Sequence, residues 1–203
     1  MRQQAHAGMS LYGSTGSRKY LNAAERRRFT EAARRAPLEV QLFCLALSLS
    51  GGRISEILAL TPAAIDIDSG VANIMTLKRR RRGIVRQVPL PRNLLSALNH
   101  AFHLRRSQRD PDSACRRIWK WSRTTAWRRV KEVMAAAHIT GLPAMPKGLR
   151  HGFGVNAFQS LVPPHLVQRW LGHASLRTTA IYGDVIGSEE RVFAARMWSK
   201  KTS

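Results

Sequence analysis

Four short stretches of the sequence bring basic side chains together with glycine, histidine or tyrosine. They are GGRISE at 51–56, TLKRRRRG at 76–83, PKGLRHGFG at 146–154 and LGHASLRTTAIYGDV at 171–185. Arginine and lysine donate hydrogen bonds to phosphate oxygens, and glycine lets the backbone come close to a ligand. The four stretches therefore contain side chains that could contact a phosphate and neutralise its charge.

The first two stretches place cations at the ends of secondary-structure elements. Arg53 begins a predicted helix, with Glu56 one helical turn further on, and the simplest interpretation of this pair is an exposed ion pair. Lys78 ends a predicted strand. The turn that follows it contains four consecutive arginines: Arg79, Arg80, Arg81 and Arg82. For this run, contact with phosphates and simple solvation fit the sequence equally well.

The last two stretches carry the titratable groups. Lys147, Arg150 and His151 lie within five residues of each other, and a lone histidine such as His151 is more often structural than catalytic. His173 follows a helix-ending glycine, and Tyr182 comes nine residues later. Taken by itself, Tyr182 would be a packing residue with a hydrogen-bonded hydroxyl.

The charge of the chain indicates a polyanionic partner. There are 34 Lys and Arg against 12 Asp and Glu, so the net charge is +22 and the pI is about 11.7. The positive charges of such a chain repel each other unless a polyanion offsets them. We predict that this polyanion is nucleic acid. An anionic membrane is the alternative. It requires a basic amphipathic helix or a lipidation signal, whereas the arginines here are spread along the chain.

Two kinds of catalysis are disfavoured by the residues that the sequence lacks. Metal-dependent phosphodiester cleavage needs several carboxylates that converge on the ions, and the 12 acidic residues are scattered. A Gly-rich phosphate loop followed by Lys and Ser or Thr is also absent. We therefore expect no metal site and no cofactor, so that any chemistry on DNA has to use protein groups.

The remaining composition favours one domain in a reducing compartment. With 203 residues, of which 44% are hydrophobic, the chain can build one core. Cys44 and Cys115 fit neither a disulfide framework nor a metal-ligand spacing. The N-terminal region has no apolar signal segment, and the longest apolar stretch, VQLFCLALSLS, is too short to span a bilayer. We expect a cytoplasmic, DNA-associated protein.

Helical patterns on both sides of a β-rich segment predict a mainly α fold with a small three-stranded antiparallel β-sheet. The sheet is expected from three alternating stretches, AAIDID, GVANIMTLK and GIVRQVPLP. Residues 1–19 lack periodicity and are predicted to be a flexible arm, which leaves 20–203 as one domain. Asn22 and Glu25 predict a capping box at the start of the first helix.

Further helices are predicted after the sheet. NLLSALNHAFHLRR reads as one helix and SQRDPDSACRR as a loop. Ser122 caps a helix wide enough for a DNA groove, and its basic residues are our candidates for phosphate or base contacts: Arg123, Arg128, Arg129 and Lys131. A last amphipathic helix, at 188–198, is expected to pack on its own domain or on a neighbouring protomer.

The motifs taken together are far more specific than each one alone. In chain order they are R-x-x-E after glycine, a strand-end lysine, L-R-H-x-F, L-G-H and T-T-x-x-Y. This set closely resembles the tyrosine recombinase (phage integrase) family over about residues 19–198. The resemblance implies the catalytic-domain fold of that family, here without the helical core-binding domain that precedes it in most members.

The resemblance also implies a role for each matched residue. Tyr182 matches the nucleophile that forms a 3′-phosphotyrosine link with DNA, and Arg53 and Arg150 match the arginines that clamp the phosphate. Lys78 matches the lysine that can protonate the departing 5′-oxygen, and His173 matches a further hydrogen-bond donor. Cutting and rejoining by this route need no cofactor, because phenoxide is a good leaving group for the return step.

Three neighbours of these residues complete the expected site. Glu56 is expected to orient the guanidinium of Arg53. His151 is expected to support the catalytic residues without contacting the phosphate itself. Lys147 stands where family members commonly have histidine, three residues before the second arginine. Lysine can donate to a phosphate oxygen, but it is a poorer proton acceptor near neutral pH.

The function implied by the resemblance is site-specific recombination of double-stranded DNA, with four protomers assembled on two sites. Three alternatives remain open from the sequence. The first is a DNA-binding accessory protein that keeps the fold without turnover, and the second is a DNA-relaxing enzyme similar to type IB topoisomerases. The third is a generic basic structural protein, which gives no reason for the motifs to occur in this order.

Overall fold

The structure, a computed structural model, describes residues 10–77, 83–185 and 188–198. The predicted fold class is confirmed within these ranges. The helices are α1 (Ala23–Arg34), α2 (Leu38–Ser50), α3 (Ile54–Leu58), α4 (Arg92–Phe102), α5 (Leu104–Ser107), α6 (Pro111–Ala114), α7 (Arg123–Ala136), α8 (Pro146–Gln159), α9 (Pro164–Leu171), α10 (Leu176–Ala180) and α11 (Ser188–Trp198). The strands are β1 (Ile65–Asp66), β2 (Val71–Met75) and β3 (Val85–Pro89).

The N-terminal segment packs against the domain where the structure describes it. Leu11 and Tyr20 are buried, and the hydroxyl groups of Tyr12 and Tyr20 lie 3.4 Å apart. The predicted capping box of α1 is confirmed. The Asn22 side chain accepts a hydrogen bond from the Glu25 N–H, and the Glu25 carboxylate accepts one from the Asn22 N–H.

The larger hydrophobic core is built around α2. This helix is apolar on most of its surface, as expected for an element enclosed on several sides, and it packs against α1, α4, α7 and α8. The ring of Phe43 meets Trp119 and Trp121 edge-on, with centroid distances of 5.3 and 5.4 Å. The apolar residues of α7 and its C-cap, from Ala126 to Ala137, are also buried in this core.

The three strands form one antiparallel sheet in the order β1-β2-β3. In β3 every second residue faces inward, so that Arg86 and Val88 are buried while Val85 and Gln87 are exposed. The turn between β2 and β3 includes residues 78–82, which lie outside the described residues. The predictions for Lys78 and for the four arginines after it therefore concern a part of the chain that the structure does not describe.

Two predictions for the segment after the sheet were wrong. NLLSALNHAFHLRR forms α4 and α5 rather than one helix, because His103 adopts a left-handed conformation with φ 49°. The break turns Leu104 into the core and lets the Gln108 amide donate to the carbonyl oxygen of Ile65. SQRDPDSACRR contains the short helix α6, which Asp110 caps by accepting the Ser113 N–H.

A second, smaller core lies beside α8 and α9. Its buried members are Leu11, Tyr20, Val155, Ala157, Val167, Leu171, Tyr182 and Val185. In this cluster the N-terminal segment packs against the later part of the chain that carries Tyr182. Position 182, in the turn that follows α10, is therefore fixed by packing against residues of α8 and α9.

We predict that α2 depends on its buried face. Leu47 is 1% exposed and Leu49, two residues later, is 38% exposed. Leu47→Ala should lower the free energy of unfolding in urea by about 2–5 kcal/mol, since it leaves a cavity, and Leu49→Ala should lower it by less than about 1 kcal/mol. Equal losses for the two variants would contradict the packing described here.

Candidate active site

The turn between α2 and α3 presents Arg53. Gly51 ends α2 with φ 63°, and a Cβ at this position would lie 2.5 Å from the Phe153 ring and 2.9 Å from Leu171. Glycine is therefore required both by the backbone conformation and by the close approach of α8 and α9. Arg53 then caps α3, and its backbone N–H donates to a carboxylate oxygen of Glu56 at 2.9 Å.

Glu56 is buried rather than exposed. The expected ion pair is present, with Arg53 Nη1 2.7 Å from Glu56 Oε1, but Glu56 is only 2% exposed and also binds Arg86 Nη2 at 2.6 Å. Burial by itself would raise the pKa of Glu56. The charge and hydrogen bond of Arg86, followed by those of Arg53, outweigh burial and lower the pKa, so the carboxylate is ionised at neutral pH.

Arg150 connects the α2–α3 turn to the end of α9. It projects from α8, where it is buried, and donates to the carbonyl oxygens of Gly51 at 2.8 Å and Leu171 at 2.6 Å. Burial, and then the nearby charge of Arg53, lower the pKa of Arg150 to about 10. The guanidinium therefore still carries its charge at neutral pH. It lies at the negative end of α9, where a cation is favoured.

Tyr182 lies against both histidines. Its side chain is 1% exposed, and its hydroxyl oxygen is 3.2 Å from His151 Nδ1. The ring of His173 stacks on it, with centroids 6.0 Å apart and planes 17° apart, while His173 Nδ1 lies 2.9 Å from the Thr179 hydroxyl. A Cβ at Gly154 would lie 2.7 Å from the Tyr182 ring, so α8 has no side chain where the tyrosine packs.

The titratable groups of this cluster are uncharged at neutral pH. Burial, and then Lys147 and Arg150, lower the pKa of His151 to about 4. Burial, and then Arg150 and Arg53, lower the pKa of His173 to about 3. Burial raises the pKa of Tyr182, although Arg150 and Arg53 act in the opposite direction. A neutral His151 can accept the hydrogen of the tyrosine hydroxyl through Nδ1.

The other predicted site residues occupy different surroundings. Lys147 is exposed in the first turn of α8, one helical turn before His151. Arg123 lies beside α3 in an open cavity of about 490 Å³ whose lining also contains Arg117 and Lys120. These two cations were not among our sequence candidates, although the interleaved basic and aromatic residues of RRIWKWSR are a signal for them.

The remaining candidates on α7 do not share the surface of Arg123. Arg128 and Arg129 pair with Glu132, at 3.9 and 3.0 Å, and Arg129 also lines a separate cavity together with α1. Lys131 donates to the Ala144 carbonyl oxygen at 2.8 Å. Their contact with DNA stays a prediction.

Arg86 is a further residue that sequence reasoning missed. It touches the same carboxylate as Arg53, although the two are 33 positions apart in the chain. The available signal was an arginine at an inward-facing position of the alternating stretch GIVRQVPLP. Such a residue needs a buried partner, because a buried unpaired charge is strongly unfavourable.

Neither a metal site nor a membrane span is found in the described residues. No group of three or more His, Cys, Asp or Glu in those ranges is placed to hold a metal ion. Within the same ranges, no helix is long and apolar enough to cross a membrane.

We predict that His151 makes the stability depend on pH. The unfolded chain binds a proton at this residue below about pH 6.5, whereas the folded chain does so only near pH 4. Stability is therefore fully present above pH 6.5 and falls as the pH drops towards 4. Within that window, His151→Gln should reduce the pH slope of the unfolding free energy by about 1.4 kcal/mol per pH unit.

The control for this prediction is His165→Gln, which changes an exposed histidine on α9. Unfolding would be followed by urea denaturation at several pH values between 4 and 7. If the unfolding free energy of His151→Gln depends on pH as steeply as that of the unchanged chain, His151 is not held neutral by the fold.

Known proteins resemble this chain in sequence over most of its length. Residues 19–187 match the phage integrase family. Tyrosine recombinase XerA of Pyrococcus furiosus is 30% identical over 168 residues, which cover 81% of this chain and 56% of that protein. Tyrosine recombinase XerC of Escherichia coli O157:H7 is 32% identical over 136 residues, which cover 66% of this chain and 44% of that protein. The chain thus spans about half the length of these relatives.

Solved structures have the same fold. A crystal structure of XerA recombinase superposes with a TM-score of 0.74 at 23% identity, over 90% of this chain and 66% of that one. XerH site-specific recombinase bound to palindromic difH substrate, in a post-cleavage complex, gives a TM-score of 0.71 at 21% identity, over 90% of this chain and 54% of that one. From the matched residues and the shared fold, this chain belongs to the phage integrase family.

Proposed function

We propose that this chain cleaves and rejoins DNA strands through a covalent bond between Tyr182 and a 3′-phosphate, and that it acts as a site-specific recombinase. One observation carries the proposal. The Tyr182 hydroxyl lies in a cluster with His151 and His173, and Arg150 and Arg53 are close enough to act on its pKa. Family membership supports the same reading, and 20–203 would then be the catalytic domain of such an enzyme.

The two arginines suit a phosphodiester that gains negative charge. When the tyrosine oxygen attacks phosphorus, the five-coordinate species carries extra charge on its non-bridging oxygens, and fixed guanidinium groups stabilise it. Arg53 is about one-third exposed, and its Nε and Nη2 groups have no hydrogen-bond partner among the described residues. Arg150 uses two of its five N–H groups on carbonyl oxygens, which leaves others for the phosphate.

The histidines and lysines would handle protons and additional contacts. Neutral His151 can accept the hydrogen of the Tyr182 hydroxyl, and His173 can donate to the phosphate from its other ring nitrogen. Lys147, exposed near His151, is placed to donate to a phosphate oxygen. We assign protonation of the departing 5′-oxygen to Lys78 on the basis of the resemblance, since this residue lies outside the described part of the chain.

The burial of Tyr182 adds a condition to this mechanism. At 1% exposure, its hydroxyl is not open to a phosphate, so binding of DNA has to move the tyrosine or the groups around it. Rearrangements of this kind are common when a partner binds. The buried state also keeps the nucleophile away from phosphates that are not part of a bound duplex.

Double-stranded DNA is the proposed partner. The net charge of +22 supports it, as do three cations beside α3: Arg117, Lys120 and Arg123. XerH, a relative of the same fold, has been solved with its difH substrate. We further propose that four protomers assemble on paired sites, as the family resemblance implies. The apolar surface of α11, which includes Met197 at 73% and Trp198 at 76% exposure, would supply a contact between protomers.

We predict that Tyr182→Phe abolishes covalent attachment to DNA while binding persists. The test is relaxation of negatively supercoiled plasmid in EDTA, with detergent-stopped samples probed for protein bound to DNA. The unchanged chain should relax the plasmid or form the adduct without metal. The matched control is Tyr12→Phe, which should still relax the plasmid and form the adduct, because the Tyr12 hydroxyl lies beside that of Tyr20 and is not the proposed nucleophile.

Two outcomes would overturn the proposal. If Tyr182→Phe still forms an adduct, another residue is the nucleophile. If the unchanged chain binds tightly yet forms no adduct on supercoiled plasmid or on nicked duplexes, it is a DNA-binding accessory protein. Tyr182-dependent relaxation without any exchange of strands between two DNA sites would keep the phosphotyrosine chemistry but favour a topoisomerase-like enzyme.

A further inference from the structure

Arg86 lies at the junction of three elements that carry the proposed site. It projects from β3 to the buried side of the sheet and is 5% exposed. All three nitrogens of its guanidinium have partners. Nη2 binds Glu56 Oε2 at 2.6 Å, Nε donates to the Trp170 carbonyl oxygen at 2.7 Å, and Nη1 lies 3.3 Å from the Thr76 hydroxyl.

The first of these contacts reaches Arg53 through Glu56. One oxygen of the Glu56 carboxylate binds the Arg53 guanidinium, and the other binds Arg86 as well as the Arg53 backbone N–H. Because the Glu56 side chain is enclosed, it cannot turn to water if one partner is lost. The position of this carboxylate, and with it the direction of Arg53, therefore depends on Arg86.

The second contact reaches the segment that carries His173. Arg86 binds the Trp170 carbonyl oxygen and Arg150 binds the next one, that of Leu171, so two arginines cap the end of α9. Gly172 is pressed against the Arg86 side chain, because a Cβ there would lie 3.2 Å from Arg86 Nε. His173 follows Gly172 directly, so the loop that carries His173 lies against the Arg86 side chain.

We propose that Arg86 is a positioning residue that holds Arg53 and the His173 loop at a fixed distance from each other for attack on the phosphate. It acts through Glu56 on one side and through the α9 terminus on the other. The guanidinium shape matters as well as the charge, because three acceptors in different directions are used. The inference rests on the proposed function of Tyr182 and assigns a residue outside the recognised motifs.

The test compares Arg86→Met with Arg105→Met. Arg105 pairs with Asp68 at the exposed surface, at 2.5 Å, and touches none of the site residues. Arg86→Met should slow plasmid relaxation and adduct formation by up to about 100-fold, since small misplacements of catalytic groups have effects of this size. Affinity for a mixed-sequence duplex oligonucleotide should change little, and Arg105→Met should change neither quantity.

A double-mutant cycle separates positioning from general destabilisation. If Arg86 acts through Glu56, then adding Arg86→Met to Glu56→Gln should cost much less than adding it to the unchanged chain. Equal factors in both backgrounds would overturn the inference, and so would a loss of DNA affinity as large as the loss of rate. Arg86→Lys, which keeps the charge, should retain an intermediate rate and serves if Arg86→Met does not fold.

A measurement that does not depend on activity tests the role of Arg86 separately from the proposed function of Tyr182. Carbon NMR of the Glu56 carboxyl group should report a higher pKa in Arg86→Met and an unchanged pKa in Arg105→Met, because Arg86 is the main partner that lowers it. An unchanged Glu56 titration in Arg86→Met would overturn the inference. If the unchanged chain forms no adduct at all, the proposed function fails, and this titration alone decides whether Arg86 holds Glu56.

Discussion

One buried carboxylate holds the basic centre of this protein together. Glu56 is ionised and enclosed, and its two oxygens are bound by Arg53 and Arg86, while its charge also acts on Arg150, whose pKa it raises. Three guanidinium groups around a single carboxylate leave excess positive charge in a partly desolvated place. Such an arrangement is costly without an anion, and the phosphate binding that we propose would offset this cost. The contacts that stabilise the centre are therefore the ones that would set the proposed affinity for phosphate.

The other elements are arranged around this centre by hydrogen bonds to backbone carbonyl groups. Arg150 joins Gly51 to Leu171, and Arg86 joins β3 to the end of α9, so the turn after α2 and the loop before α10 are fixed relative to each other. Tyr182 then packs where α8 has glycine instead of a side chain. Burial, and then the nearby cations, keep both histidines neutral, and burial keeps the tyrosine protonated. The site would therefore be primed only when DNA supplies negative charge.

Local signals in the sequence predicted the elements, and contacts between distant elements account for what was missed. The capping box at Asn22 and the alternation in the sheet depend on neighbouring residues, and both were predicted correctly. The helix break at His103 depends on two later residues, since Leu104 enters the core and Gln108 binds the Ile65 carbonyl oxygen of β1. No pattern in the neighbouring sequence predicts this break. Arg86 could be identified as buried, but its partner, 30 positions away, could not. The motif residues Arg53, Arg150, His173 and Tyr182 were identified as a set because their order along the chain resembles a family.

The most direct test of the account is to identify the amino acid that becomes joined to DNA. The three tyrosines of the chain fall on different tryptic peptides, and residues 178–191 form the one that contains Tyr182. An adduct trapped on a nicked duplex would be digested with nuclease and trypsin and analysed by mass spectrometry. We predict a nucleotide phosphate attached to Tyr182 in this peptide. Attachment to Tyr12, to Tyr20 or to a serine would contradict it.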